Sequence, residues 1–170
     1  ELDVPALVSG ILAYARAAGL EVASTVRHEQ GVLPLPTSWP WVPSSQSPMV
    51  AGFQGGFFHP TTGYSFPVAV RVARHVAATL RGEVFGPEWR ALLDRHARQV
   101  RFAVMLNRLL FGATPAENRR DVLERFHKLP EATIRRFYAL ETTAGDRARI
   151  ICGRPPRGVS LHAALTELTR

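Results

Sequence analysis

The sequence predicts an α/β protein in which two short strands are outnumbered by about seven helical segments. Three observations carry that expectation. From Ser65 onward, apolar residues recur at helical spacing between proline-type starts and glycine-type stops. Two earlier runs have strand character: 21–29 alternates, and 49–53 is a short apolar run that breaks into Gly55-Gly56. The chain is 170 residues long, 46% hydrophobic and 21% charged, which is globular composition. That length allows one domain with a real core and excludes two large ones.

The elements follow in order. Asp3 is placed to cap a first helix, Pro5 suits its first turn and Gly19 its exit. Leu7, Val8, Ile11, Leu12 and Ala15 make its apolar stripe. In 21–29, Val22, Ser24, Val26 and His28 alternate with Ala23, Thr25 and Arg27, a strand pattern. Residues 31–34 are an apolar turn. Residues 34–48 hold five prolines, two tryptophans and four serines, which excludes a helix or a central strand and reads as a surface loop.

The run 49–53 reads as a strand buried on both faces, as in a layered parallel sheet. Residues 66–80 read as a helix with Ser65 at its cap and Pro67 in its first turn. Phe66, Ala69, Val70, Ala73, Ala77 and Leu80 form one face and Val68, Val72 and Val76 widen it, so the helix is expected to be covered on most sides. Pro87 opens a long helix to about residue 111. Thr114, Pro115 and Glu117 form a capping box for a helix to about 127. Pro130 opens another to about 140, residues 143–151 form a short one exited by Gly153 and Pro155, and Ser160 caps the last. Two strands alone make a marginal sheet, so the chain is expected to be part of a longer protein. The domain organisation expected is 1–48, a helix, strand and Pro-rich loop; 49–82, a strand–turn–helix unit; and 83–170, a helical region.

Twenty arginines and one lysine, Lys128, set a net charge of +7. No helix-turn-helix, zinc-finger or ribonucleoprotein signature accompanies that charge, so a nucleic-acid partner is not expected. A single cysteine, Cys152, excludes an internal disulfide and a multi-cysteine metal site. No run approaches 18 uncharged apolar residues, and no basic-then-apolar leader opens the chain. The long helix from Pro87 has a membrane-surface alternative to a core reading. Arg90, Arg95, Arg98 and Arg101 precede Phe102–Leu106 and Leu109, Leu110 and Phe111, a basic amphipathic pattern suited to anionic lipid.

Chemistry concentrates at 52–65, between the apolar run and the helix that starts at Phe66. Glycines at 52, 55, 56 and 63 let backbone approach a ligand. His59 precedes Pro60 and is biased to extended geometry. The following helix N-terminus offers unpaired N–H groups and partial positive charge, an anion site. An ordinary strand–helix turn explains the same residues equally well.

The string Gly55-Gly-Phe-Phe-His-Pro-Thr-Thr-Gly-Tyr-Ser65 resembles the C-terminal flavin-contacting motif of bacterial lycopene β-cyclases. Other stretches are similar to that family: Leu2-Asp3-Val4, Arg27-His-Glu-Gln-Gly-Val-Leu-Pro34, Leu106-Asn-Arg-Leu-Leu-Phe111, Leu123-Glu-Arg-Phe126, Leu129-Pro130, Arg136-Phe-Tyr138 and Asp146-Arg-Ala-Arg-Ile-Ile-Cys-Gly-Arg-Pro-Pro156. The resemblance implies the C-terminal part of a two-domain FAD-binding flavoprotein, akin to aromatic hydroxylases and geranylgeranyl reductases, ending in a mostly helical region. The family's G-x-G-x-x-G fingerprint and its acidic motif are absent, so both are expected before Glu1, and the isolated chain is expected to be inactive.

The implied reaction is closure of lycopene end groups into β-ionone rings without net redox change, a task for general acid catalysis in a dry site. Reduced FAD is the implied cofactor and NAD(P)H its reductant. The implied partners are lycopene, the N-terminal FAD-binding half of the same protein and a membrane surface, at which a cytoplasmic enzyme would act peripherally. By resemblance, Gly55, Gly56, His59, Pro60, Thr61, Thr62, Gly63 and Tyr64 border the flavin, with the N–H groups of Thr62, Gly63 and Tyr64 facing it. No catalytic acid is assigned in this chain. His59, the one titratable side chain of the motif, could relay a proton, but packing is preferred. Glu29 is read as a solvated strand-end charge, and the Leu-Glu-Thr at 140–142 is not assigned catalysis. A geranylgeranyl-reductase-like flavoprotein and a non-catalytic helical binding module are the alternatives.

Overall fold

The structure, a computed structural model, describes residues 3–151 apart from 28, 30, 32, 34, 39–47 and 81. The chain divides into two compact units, Glu1–Val32 and Leu33–Arg170. The expected roles of Gly153, Pro155 and Ser160, and of Cys152, lie outside the described residues.

In the first unit, α1 spans Val4–Ala17. Asp3 Oδ1 accepts the Ala6 N–H at 3.0 Å, and Pro5 sits in the first turn where no N–H is needed. Gly19, at φ +74°, ends the helix in the left-handed region. The apolar stripe forms as the spacing requires, yet no residue of α1 is buried. The strand expected at 21–29 is absent from the described residues there: 21–27 carry no regular structure and Val26 is almost fully exposed. Alternation suits a strand, but a strand needs a neighbour to complete its hydrogen bonds, and the described residues supply none. Glu29 pairs with Arg27 in solvent.

The second unit is helical. Its core is Phe57, Val68, Val72, Trp89, Val100, Ala103, Val104 and Leu140, drawn from α2 (Phe66–Ala78), α3 (Pro87–Arg108) and the turns before and after them. The run 49–53 is not a buried strand. It enters a glycine-rich turn in which Phe57 N–H donates to the Gly52 carbonyl at 2.9 Å, while Val50 and Phe53 stay exposed. Only Val68 and Val72 of α2 are buried; Phe66, Val70 and Val76 face solvent, as does Leu80 two residues beyond its end. Full cover for α2 needs a second layer, and the described residues of this unit provide one side only.

α3 continues into a π-type turn, Leu109–Ala113. The capping box expected from Thr114 does not form. Thr114 Oγ1 instead donates back to the Leu109 carbonyl at 2.9 Å, a 3₁₀ turn occupies Ala116–Asn118, and α4 begins only at Arg119 and runs to Phe126. Arg119 reaches back to the carbonyls of Leu110, Phe111 and Thr114 at 3.2 to 3.3 Å, satisfying helix-end acceptors that have no intrahelical donor.

The last two described helices, α5 (Glu131–Tyr138) and α6 (Ala144–Ile151), are joined through Asp146, which has no exposed surface. Thr143 and Asp146 form a reciprocal cap at the start of α6, with Thr143 N–H to Oδ2 at 3.0 Å and Asp146 N–H to Thr143 Oγ1 at 3.1 Å. From α5, Thr133 Oγ1 donates to Oδ1 at 2.8 Å, and Arg136 donates to both carboxylate oxygens. Leu140 ends α5 at φ +53°, a left-handed position where glycine is usual. Burial in the core holds it there, 4% exposed.

Candidate functional site

The segment 55–65 is laid along one face of α3. His96, Val100, Ala103 and Asn107 stand three and four residues apart, so they form a single stripe. Near its start, His96 Nε2 lies 2.7 Å from the Gly56 carbonyl. Further on, Thr61 Oγ1 donates to the Ala103 carbonyl at 3.2 Å. At its end, Asn107 Nδ2 donates to the Pro60 carbonyl at 3.0 Å. Phe57 packs against Trp89 and His96 with ring centroids 5.7 and 5.3 Å apart.

Within the turn, the His59 carbonyl accepts from Gly63 N–H at 2.8 Å and Thr62 N–H at 3.3 Å, and His59 N–H donates to the Tyr64 carbonyl at 2.9 Å. Tyr64 N–H donates to Thr62 Oγ1 at 3.2 Å. The N–H groups of Thr62, Gly63 and Tyr64, expected to face a flavin, therefore close the turn on itself. Gly63 has φ +70°, and a Cβ there would sit 2.4 Å from Leu33 Cδ2. A Cβ on Gly55 would meet the Val50 carbonyl oxygen at 1.9 Å. Gly55 is thus required by the close approach of backbone, and Gly63 by its left-handed conformation.

His59 is completely buried, its ring tilted by 56° against that of Phe137 with 4.5 Å between centroids. Its Nδ1 accepts the Thr61 N–H at 3.1 Å, which leaves the proton of the neutral ring on Nε2, where it makes no hydrogen bond. Burial lowers its pKa from 6.5 to about 4; the Phe137 and His59 backbone draws it partly back up, and His96 pushes it down. His59 is therefore a neutral, packed histidine at pH 7. His96 is also held below the ordinary histidine range by burial, against the Gly56 carbonyl.

The motif residues divide by exposure. Gly55, Gly56, His59 and Pro60 are buried, Thr61, Thr62 and Gly63 are half-buried, and Tyr64 is exposed. The first group supports the turn; only 61–64 and the start of α2 present a surface. His96 and Asn107 were not singled out from the sequence. The signal was available: each is a polar residue set in an apolar stripe with α-helical spacing. Asp146, whose place in the sequence suggests only a short helix start, is held below the usual carboxylate range, first by Arg136 and then by Thr143 and Thr133. Glu141 pairs with Arg71 at 3.0 Å, which accounts for it without catalysis.

The chain matches the family model described as "Lycopene cyclase protein" over residues 1–164. It belongs to the lycopene cyclase family. Among curated relatives, it is 40% identical to the lycopene beta-cyclase of Pseudescherichia vulneris, covering 97% of this chain and 45% of that protein. It is 40% identical to the lycopene beta-cyclase of Pantoea ananas, covering 98% and 44%. With that of Paracoccus sp. (strain N81106 / MBIC 01143) the identity is 38%, covering 92% and 42%. The cyclase-family chain thus spans less than half the length of these relatives. No solved structure matches it.

Of the apolar residues in the membrane-surface reading of α3, Met105, Leu106, Leu109, Leu110 and Phe111 are half-buried and the rest are packed inside. Phe102, Ala103 and Val104 are 8%, 1% and 3% exposed, packed in the second unit, with Arg147 lying over the Phe102 ring. The arginines of this cyclase-family helix remain solvated on the opposite face. Among the described residues, no helix is long and apolar enough to cross a membrane.

Proposed function

We propose that this chain is the C-terminal portion of a lycopene β-cyclase, an enzyme of carotenoid biosynthesis that closes lycopene end groups into β-ionone rings. The observation that carries the reading is the family match over residues 1–164, which includes the whole of the 55–65 string. The reaction is an isomerisation. A carboxylic acid protonates a terminal double bond, the cation closes on a second double bond, and loss of a proton restores neutrality.

Within that reading the chain's contribution is structural and positional. Residues Thr61, Thr62, Gly63 and Tyr64 with the start of α2 are the part of the motif left at the surface to meet a flavin, and they would do so through side chains and carbonyls, because the N–H groups of 62–64 are bonded within the turn. Gly55, Gly56, His59 and Pro60, being buried, do not touch it; they fix the height of the turn. FAD, when bound and reduced by NAD(P)H, would supply electrostatic stabilisation of cationic character. Asp146, the one buried carboxylate among the described residues, is held ionised by Arg136 and is unsuited to donate a proton. The 170-residue chain alone is therefore inactive in this reading. Contact with a membrane, if the substrate is taken from one, would use the half-buried Leu109, Leu110 and Phe111 together with the solvated arginines of α3.

Expression of the complete open reading frame that encodes this chain in a lycopene-accumulating host tests the proposal. Appearance of β-ring carotenoids, and none with residues 1–170 alone, is the expected result. Unchanged lycopene with the complete frame would overturn the activity, and ring formation by the 170 residues would overturn the division of labour.

A further inference from the structure

Asn107 is fully buried near the C-terminal end of α3, and one atom of it makes two bonds. Nδ2 donates to the Pro60 carbonyl at 3.0 Å and to the Pro36 carbonyl at 2.9 Å. Oδ1 accepts nothing. The two carbonyls belong to segments 24 residues apart in the chain: the motif turn, and the stretch that follows the apolar 31–34 turn. A second link lies next door, where Arg108 Nε donates to the Thr37 carbonyl at 2.5 Å. A third contact lies at the other end, where the tip of the exposed Leu33 side chain touches Gly63.

A residue chosen only to fill volume here would be apolar, because burying an amide whose oxygen is left without a partner is unfavourable. The two donated bonds are what the asparagine adds. Both of its amide hydrogens are used, and both acceptors are backbone atoms, whose positions determine where the whole segment lies. We infer that Asn107 is a positioning residue that fixes the motif turn and the 33–38 segment relative to one another, so that the exposed edge at 61–64 is held at one height beside Leu33. The functional part of this inference rests on the proposed cyclase reading: the edge so held is the one that would meet the flavin, and the 33–38 segment borders it.

The test uses the complete open reading frame with Asn107→Leu, which keeps the volume and removes both donors. Leu140→Ala serves as the comparison, since it removes core volume but bonds to neither segment. Hydrogen–deuterium exchange of a peptide spanning 59–65, where the N–H groups of His59, Thr62, Gly63 and Tyr64 are hydrogen-bonded, and the mobility of a spin label on Ser38→Cys in a Cys152→Ser background, read the coupling without reference to activity. Flavin dissociation constant, flavin absorption spectrum and ring formation at a temperature well below both unfolding midpoints read its service.

Asn107→Leu is expected to raise exchange at 59–65 together with the mobility of the label at 38, weaken flavin binding at least tenfold and shift the flavin spectrum. Leu140→Ala should leave binding within twofold and the spectrum unchanged. Wild-type exchange at 59–65 with wild-type label mobility at 38 in Asn107→Leu would overturn the coupling. Raised exchange with flavin affinity and spectrum matching Leu140→Ala would overturn the positioning role. A wild-type protein that binds no flavin and closes no rings would instead overturn the cyclase reading, and the exchange experiment would still decide the clamp.

Discussion

His59 is neutral at pH 7 because the folded protein cannot hydrate its charged form. Its pKa is lowered from 6.5 to about 4. The unfolded chain therefore binds a proton more readily than the folded one, and stability falls as pH drops from about 6.5 towards 4. Between pH 7 and pH 5 this residue alone removes about 2 kcal/mol. Urea unfolding at those two values should show the loss, and His59→Asn should flatten it. Asp146 has the opposite sign. Its carboxyl is held below the ordinary range by Arg136, so its contribution is complete above the unfolded carboxylate range and is lost as pH falls below about 4. Asp146→Asn should lower the unfolding midpoint at pH 7 and shrink the difference from wild type in strong acid. The two residues were legible in the sequence to different degrees. His59 stood out as a titratable group in a glycine-rich string, but its neutrality comes from burial among residues remote in the sequence, Phe137 and α3. Asp146 carried no local signal beyond a helix start, because its partners Thr133 and Arg136 belong to another helix.

At the scale of elements, the ends were less legible than the bodies. The long helix from Pro87 forms where its apolar spacing requires, but the π-type turn that follows it is closed by Arg119, which donates to the carbonyls of Leu110, Phe111 and Thr114. The last turn of α5 is a sharper case. Leu140 sits in the left-handed region, a conformation that costs a non-glycine residue about 1 kcal/mol. Its buried side chain more than offsets this. Leu140→Ala should destabilise the chain by about 2 to 5 kcal/mol. Leu140→Gly loses the same side chain yet relieves the backbone, so it should be more stable than Leu140→Ala by about 1 kcal/mol. Thermal or urea unfolding of the pair would measure that inversion of the usual helix-region order. Equal stabilities would mean that the left-handed geometry carries no strain.

For the molecule as a whole, the exposed stripe of α2 is the main departure from expectation. Phe66 is 66% and Leu80 74% exposed, so neither contributes to the core of the second unit. Phe66→Glu and Leu80→Glu should each change the stability of this chain by less than about 0.5 kcal/mol, measured by urea unfolding. A loss of several kcal/mol would show that the stripe is buried in solution. Local periodicity by itself determined where the helices lie, because a helix completes its hydrogen bonds within its own segment and its apolar stripe is written at fixed spacing. The glycine-rich string, too, was readable as a turn, since left-handed backbone and close approach leave few residue choices. Strand formation at 21–29 and 49–53, the cover of α2, the burial of His59 and the grip of Asn107 on two distant carbonyls were decided only by tertiary structure. Each depends on a partner remote in sequence, and an apolar or alternating run states that it needs a neighbour without naming which one it gets.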